Sequence, residues 1–154
     1  MTSRAMTDQH LGDPPLSQLD FVSDNLMWFW RAGASGRLRM MRCSRCAYVV
    51  HPPSPVCPTC WCTDLAPEPV SSTGHVYAAS ANWWRWSPEI DVPYRFGIVE
   101  LDEQPGLRLL AGLVGFDEDP VVDSPVELRF RPFTSTRHSE TLYEPLFQPG
   151  GMKT

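Results

Sequence analysis

The chain has 154 residues with a hydrophobic fraction of 42%, which is globular in composition and allows one ordinary domain or two small modules. Its formal net charge of −5 argues against a protein that coats nucleic acid along its length. There is no apolar run of the roughly 18 residues that span a bilayer, and the first residues lack the apolar segment of a secretory signal. We therefore expect a cytoplasmic protein with reduced thiols and no membrane contact.

The N-terminal part predicts a flexible segment followed by one aromatic helix. Residues 1–17 are polar and aperiodic, so we expect them to be flexible. A helix over about 18–33 is indicated by Ser23 as its N-cap and by Gly33 and Gly36 at its end. Its aromatic side chains either pack on the chain's own β domain or dock on another protein. These side chains are Phe21, Trp28, Phe29 and Trp30.

Two cysteine pairs predict a metal site. Cys43 and Cys46 are separated by two residues, as are Cys57 and Cys60, and ten residues lie between the pairs. Each gap lets one tight turn present two thiolates, and two facing turns supply the tetrahedral four-sulfur shell that zinc prefers. Four thiolates leave no open coordination position, so we expect a structural zinc ion that replaces a core.

Neighbouring residues qualify this zinc ribbon. Cys62 could compete as the fourth ligand or be a spare thiol, and His51 could replace a cysteine. Rubredoxin-like turns favour glycine after the second cysteine, where φ is positive. Here those positions hold Ala47 and Trp61, so we expect mildly strained turns.

The remaining sequence predicts a β barrel. A short strand, Leu38–Arg42, leads into the first cysteine pair, and further strands separated by turn residues follow from about residue 68. Five strands with a tight hairpin at Asp102–Gly106 fit a small Greek-key barrel of the oligonucleotide/oligosaccharide-binding (OB) type. The five segments are Gly74–Trp86, Tyr94–Leu101, Leu107–Val114, Val126–Phe133 and Glu140–Phe147.

The predicted fold is mainly β, with an N-terminal helix, a rubredoxin-like zinc ribbon and a five-stranded OB barrel. The expected segments are a flexible N-terminus (1–17), the helix (18–36), the ribbon (37–66) and the OB domain (67–150).

Three tryptophans are candidates for a binding surface. Trp83, Trp84 and Trp86 cannot all point inward on one strand, because neighbouring residues alternate faces. We expect them to reach the loop after the first barrel strand, with at least one ring exposed for a partner to cover. The alternative is a hydrophobic plug on the barrel.

A basic segment is the second candidate. Residues 25–63 contain no acidic residue and carry several arginines. This segment could hold a polyanionic group or dock on an acidic partner, or the arginines could merely solvate the ribbon. The candidate side chains are Arg37, Arg39, Arg42 and Arg45.

A catalytic constellation is not evident in the sequence. There is no nucleophile elbow, metalloprotease motif or phosphate-binding glycine loop, and His75 and His138 are isolated. The acidic run Asp117–Asp119 precedes a proline in an expected surface loop, whereas paired acid–base catalysis needs a desolvated cleft. We expect no catalysis by this chain alone.

The combined motifs resemble a known family, the zinc-ribbon/OB-fold acyl-CoA-associated proteins, formerly a domain-of-unknown-function family. The similarity runs in order along most of the chain, with Trp61-Cys62 and the Trp-rich segment as departures. The matching segments are FWRAGASGRLRMMRC, CSRCAYVVHPPSPVCPTC, STGHVYAASANWWRW, YRFGIVELDEQPGLRLLAGLVG and SPVELRFRP.

The resemblance implies an accessory subunit of an enzyme complex. Its partner would be a thiolase-like subunit, of the lipid-transfer-type thiolase/aldolase or acyltransferase kind, acting on acyl-CoA thioesters in steroid or lipid side-chain degradation. A hotdog-fold enoyl-CoA hydratase is the alternative partner. In such a complex the basic ribbon could contact the CoA phosphates.

A single-stranded nucleic-acid-binding OB protein is a further alternative. That function requires a basic groove on the barrel, but acidic residues outnumber basic ones two to one over 64–154. We therefore expect no nucleic acid partner.

Overall fold

The computed structural model describes residues 24–86, 88, 92–135 and 137–151. The expected flexible segment 1–17 lies outside these residues. So does the start of the expected helix, with Phe21 and the proposed cap Ser23.

The described N-terminal segment is a short helix. Helix α1 spans Met27–Arg31, follows one 3₁₀ turn, Asp24–Leu26, and leads into another, Ala32–Ser35. The segment ends at Gly36, whose left-handed φ of 67° matches the predicted stop. The regular α-helical part is shorter than expected from 18–33, and Leu26 at its start offers no side-chain cap.

Helix α1 packs on the chain's own barrel. Its Met27 is buried in a small cluster with Phe133 and Leu142, and the Trp30 ring meets the Phe133 ring edge-on at 6.1 Å. Arg31 pairs with Glu140 at 2.6 Å, and this hydrogen bond holds the pKa of the Glu140 carboxyl below its usual value. The aromatic helix is therefore an internal packing element.

Gly33 allows the close approach of this segment to the barrel. A Cβ atom built on Gly33 would lie 2.2 Å from Cβ of Tyr143 and 2.8 Å from the Phe130 ring. A side chain at this position would push the helical segment away from the sheet.

The ribbon is a three-stranded antiparallel sheet. Its strands are β1 (Arg39–Cys43), β2 (Val49–Val50) and β3 (Leu65–Pro69), in the order β2-β1-β3. Pro67 and Pro69 remove amide donors from the outer strand β3, which limits pairing of this edge with other chains.

Five strands then close a barrel in the order β4-β5-β6-β8-β7. Strands β6 and β8 pair in parallel, and the other neighbours, including β4 with β7, pair antiparallel. The expected OB barrel is confirmed, but its first strand ends at Asn82 rather than at Trp86. The strands are β4 (Thr73–Asn82), β5 (Tyr94–Leu101), β6 (Arg108–Leu113), β7 (Pro125–Ser135) and β8 (Glu140–Pro149).

Ribbon and barrel share one hydrophobic core. Leu38, Met40 and Val49 from the ribbon belong to the same buried cluster as barrel residues such as Val99 and Phe147. Because apolar contacts run without a break across the junction, we expect the ribbon to depend on the barrel for its own burial. The segment boundaries expected from the sequence (1–17, 18–36, 37–66 and 67–150) remain predictions. Among the described residues, no helix has the length and apolar character needed to cross a bilayer.

Candidate metal centre and interaction surfaces

Four sulfur atoms converge at the tip of the ribbon. The Sγ atoms of Cys43, Cys46, Cys57 and Cys60 all lie within 4.8 Å of one another. Cys43 and Cys60 are 3.5 Å apart, and Cys46 and Cys57 are 3.6 Å apart. A tetrahedral zinc ion with Zn–S bonds of about 2.3 Å requires sulfur separations of about 3.8 Å. The four cysteines are thus positioned to bind a metal ion, and their donor set fits zinc.

The two metal-binding turns have the same hydrogen bonds. In each turn, the amide of the first cysteine donates to the carbonyl of the residue five positions later. The carbonyl of the same cysteine accepts a hydrogen bond from the amide of the residue four positions later. The first turn has Cys43 N–Tyr48 O at 3.0 Å and Ala47 N–Cys43 O at 2.9 Å, and the second has Cys57 N–Cys62 O at 2.8 Å and Trp61 N–Cys57 O at 3.0 Å. This repeated geometry explains why both pairs use the same two-residue gap.

Both turns contain the strain expected from the sequence. Ala47 has a φ of 60° and Trp61 a φ of 61°, in the left-handed region where glycine is least costly. The side chains of Ala47 and Trp61 do not prevent the turns from forming. Each raises the free energy of the folded backbone, and metal binding can offset this strain.

Cys57 sits where its thiolate is favoured. Burial opposes ionisation, but the amides of Thr59 and Cys60 donate toward the sulfur and, with the neighbouring thiols, lower the pKa of Cys57 to about 6. Amide donors directed at a sulfur also stabilise it as a metal ligand.

Cys62 lies outside the four-sulfur group. Its carbonyl completes the second turn, while its half-buried thiol lies 3.4 Å from the amide of Asp64 and 4.0 Å from the Ser44 hydroxyl. This is the arrangement of a spare thiol. His51 lies away from the sulfurs, in a cavity of about 270 Å³ between α1, the ribbon and the barrel, where burial lowers its pKa.

Arg42 joins the ribbon to the barrel. It pairs with Glu68 at 3.2 Å and with Glu103 in the β5–β6 turn, and its side chain is only 20% exposed. Glu103 also accepts the amide of Ser71, in the connection from ribbon to barrel, at 2.8 Å. This arginine therefore has a structural role that the sequence did not indicate.

Gln104 makes a second joint beside it. Its side-chain amide accepts from the Val49 amide at 2.8 Å and donates to the Val49 carbonyl at 3.1 Å. The Gln104 side chain thus makes the same two hydrogen bonds to strand β2 that the backbone of a neighbouring strand would make. The β5–β6 turn thereby fixes the ribbon on the barrel.

The other three candidate arginines have a different environment. Arg37, Arg39 and Arg45 are all exposed on the ribbon. Arg39 begins strand β1, and Arg45 lies between Cys43 and Cys46 in the first metal-binding turn.

The tryptophan-rich segment leaves the end of strand β4. Trp83, Trp84 and Trp86 are all exposed, and Trp84 is 77% exposed. The Asn82 side chain donates to the Trp84 carbonyl at 2.8 Å and accepts the Trp84 amide at 3.3 Å, while Trp86 Nε1 donates to the Tyr94 hydroxyl at 3.0 Å. These hydrogen bonds fix the backbone at Trp84 and the indole of Trp86.

The acidic run in the loop after strand β6 is not a paired-carboxylate site. Asp119 accepts a hydrogen bond from Arg95 at 3.0 Å. The carboxylate is 89% exposed, which is the solvated setting expected for this loop.

Comparison with known proteins identifies the two parts of the chain. Residues 30–66 match the rubredoxin-like zinc ribbon domain of ChsH2, and residues 67–131 match the C-terminal OB-fold domain of ChsH2. In a solved structure, the Ltp2–ChsH2 (DUF35) aldolase, one chain superposes with a TM-score of 0.69 at 30% identity. This alignment covers 84% of the present chain and 97% of that chain.

Two curated proteins are also similar. The benzoylsuccinyl-CoA thiolase subunit BbsA of Thauera aromatica is 34% identical over 100 residues, which cover 63% of this chain and 67% of BbsA. A probable enoyl-CoA hydratase alpha subunit of Thermomonospora curvata is 37% identical over 106 residues, which cover 68% of this chain. The match covers only 32% of that hydratase subunit, so the chain corresponds to about a third of its length. The chain belongs to the ChsH2 family of proteins that join a rubredoxin-like zinc ribbon to an OB-fold domain.

Proposed function

We propose that this chain is a zinc-binding accessory subunit that performs no chemistry alone and assembles with a thiolase-like subunit. The partner is of the lipid-transfer-type thiolase/aldolase or acyltransferase kind and acts on acyl-CoA thioesters in steroid or lipid side-chain degradation. The observation that carries this proposal is the match over 97% of one chain of the Ltp2–ChsH2 (DUF35) aldolase. The similarity to BbsA, a thiolase subunit, supports the same class of partner.

The Trp83–Trp86 segment is the proposed contact with that subunit. Exposed tryptophans are the side chains most enriched among interface hot spots, since they bury a large area with few rotatable bonds. Here Asn82 already fixes the backbone at Trp84 and Tyr94 the indole of Trp86, which reduces the conformational entropy lost on binding.

Replacing Trp84 by alanine should weaken binding to the thiolase-like subunit at least about 30-fold, because a central indole anchor contributes about 2 kcal/mol or more. Isothermal titration calorimetry with a purified thiolase-like subunit, sought first among the neighbouring reading frames, measures the change. Val121→Ala is the control, since Val121 is an exposed apolar residue near the opposite end of β4. An unchanged affinity for the Trp84 variant counts against this surface.

The basic ribbon is the proposed site for a polyanion. Arg37, Arg39 and Arg45 are exposed in a segment without acidic residues, and guanidinium groups match phosphate oxygens. They therefore suit either the CoA phosphates or an acidic patch on the partner. Arg42 is better explained by its pairing with Glu68 and Glu103.

The double variant Arg39→Glu, Arg45→Glu should lower the affinity for CoA or for the thiolase-like subunit about tenfold at low salt. The loss should shrink at high salt, because exposed charges are screened. Titrations of both ligands at two ionic strengths measure this. The single variant Arg39→Glu is compared with the exposed Arg129→Glu on the barrel, which changes the charge by the same amount. If neither ligand responds to the double variant, the basic ribbon is only solvated.

A hydratase partner is the second candidate, favoured by the 37% identity to the hydratase alpha subunit. Co-expression with each neighbouring reading frame separates the two: a hotdog-fold subunit that co-purifies in place of a thiolase-like one supports the second candidate.

A further inference from the structure

Trp61 combines two unfavourable features in one residue. Its side chain is 79% exposed, so the indole gains little from burial. Its backbone has a φ of 61°, a conformation that L-residues adopt at a cost in free energy. A residue that is both strained and exposed indicates a role outside the fold itself.

The first metal-binding turn shows that the fold does not require tryptophan at this point. Ala47 occupies the equivalent position, with a φ of 60° and the equivalent hydrogen bond to the first cysteine of its pair. The two turns therefore share their geometry and differ in what they present to solvent. A small residue is sufficient for metal binding.

The turn holds Trp61 in a fixed position. Its amide donates to the Cys57 carbonyl at 3.0 Å, and it directly follows the metal-binding Cys60. The indole thus projects from the apex of a tight turn whose ends are fixed by the metal site. Such a convex presentation suits a pocket on another macromolecule, whereas small-molecule sites are concave.

The exposed charges around the tip nearly balance. Arg45 is exposed on the opposing metal-binding turn, and Asp64 is exposed just after the second turn, where its carbonyl accepts the Ser44 amide at 3.1 Å. A covering surface is therefore selected by its fit to the indole rather than by its charge.

We infer that Trp61 is a second docking residue, which inserts into an apolar pocket on the thiolase-like subunit. This inference rests on the proposed function. It names a contact on the ribbon tip, separate from the Trp83–Trp86 segment on the barrel. Since Trp61 is held by the metal-binding turn, the zinc ion organises this part of the interface as well as the ribbon.

The variants Trp61→Gly and Trp61→Asn test the inference, because both residues tolerate a positive φ. Each should retain one zinc per chain, with a Tm equal to wild type or up to about 4 °C higher as strain is relieved. Each should bind the thiolase-like subunit at least about 30-fold more weakly. Ala47→Gly is the matched control: it relieves the same strain and should bind like wild type.

The outcomes separate the docking role from a structural one. Binding within about twofold of wild type for both variants overturns the inference, as does loss of zinc from both variants. A loss of affinity for CoA alone, with subunit binding unchanged, also overturns it and assigns Trp61 to a small ligand. If wild-type protein forms no complex, the proposed function fails and the inference fails with it. If Trp84→Ala weakens the complex but neither Trp61 variant does, only the inference fails.

Discussion

Replacing Cys57 by serine should abolish stoichiometric zinc binding and leave little or no stably folded protein. Apparent binding free energies of structural zinc, about 10–16 kcal/mol, are as large as the whole stability of a small domain, about 5–15 kcal/mol. Cys57 is fully buried at the ribbon tip, where its loss leaves three thiolates around the ion. Metal analysis by mass spectrometry, together with thermal unfolding, measures both effects.

Cys62→Ser is the matched control, because its thiol lies outside the four-sulfur group while its carbonyl is kept. This variant should keep one zinc per chain and a nearly unchanged Tm. Full zinc occupancy and an unchanged Tm in Cys57→Ser would contradict the metal assignment. Loss of zinc from Cys62→Ser would show that the ligand set is different.

Truncating Leu38 to alanine should destabilise the barrel as well as the ribbon, by about 2–5 kcal/mol. Leu38 is 0% exposed and lies in the buried cluster that joins the two parts of the chain. The cavity left there removes contacts on both sides of the junction, so the two parts should unfold together. Chemical denaturation gives the free energy of unfolding, and amide hydrogen exchange shows which strands open.

Leu110→Ala provides the control with the same chemistry, since Leu110 is 67% exposed on strand β6. Its cost should stay within about 0.5 kcal/mol. If Leu38→Ala instead speeds exchange only in the ribbon while the barrel strands keep their wild-type protection, the ribbon and barrel are independent units.

The local features of this fold were accessible from the sequence. The spacing of Cys43 to Cys60 predicts the metal site because a two-residue gap has few geometric solutions. Likewise, Ala47 and Trp61 each directly follow the second cysteine of a pair, where this type of turn requires a positive φ, and both residues have one. Alternating apolar residues predicted the five barrel strands to within a few residues at their ends.

The long-range joint between ribbon and barrel was not accessible in the same way. Arg42 meets Glu103 across 61 positions, and Gln104 meets Val49 across 55. Side-chain pairs at such separations leave no periodicity for a pattern to detect. The sequence accordingly grouped Arg42 with the exposed arginines of the ribbon. Its burial and its two carboxylate partners give it a different role.

The end of strand β4 was predicted less sharply. β-prone residues continue from Asn82 into the tryptophans, so the expected segment ran to Trp86, although the tryptophans themselves were expected to reach the loop after the strand. In the structure, Asn82 turns its side chain onto the Trp84 backbone, and this local hydrogen bonding competes with strand pairing. The strand therefore ends at Asn82, and the tryptophans lie exposed in the loop that follows.

The joint has a consequence for assembly. Glu103 and Gln104 fix the ribbon relative to the barrel, so Trp61 on the ribbon and Trp84 on the barrel are held on one rigid body. If both residues are the contacts proposed above, the second contact forms at an effective concentration set by this fixed geometry, which favours a partner with matching pockets.

The most direct test of the proposed role is native mass spectrometry of this chain co-expressed with a thiolase-like subunit, sought first among the neighbouring reading frames. We expect one complex that contains both subunits, with one zinc ion for each copy of this chain. Two folded proteins that remain separate at micromolar concentration would contradict the proposed role.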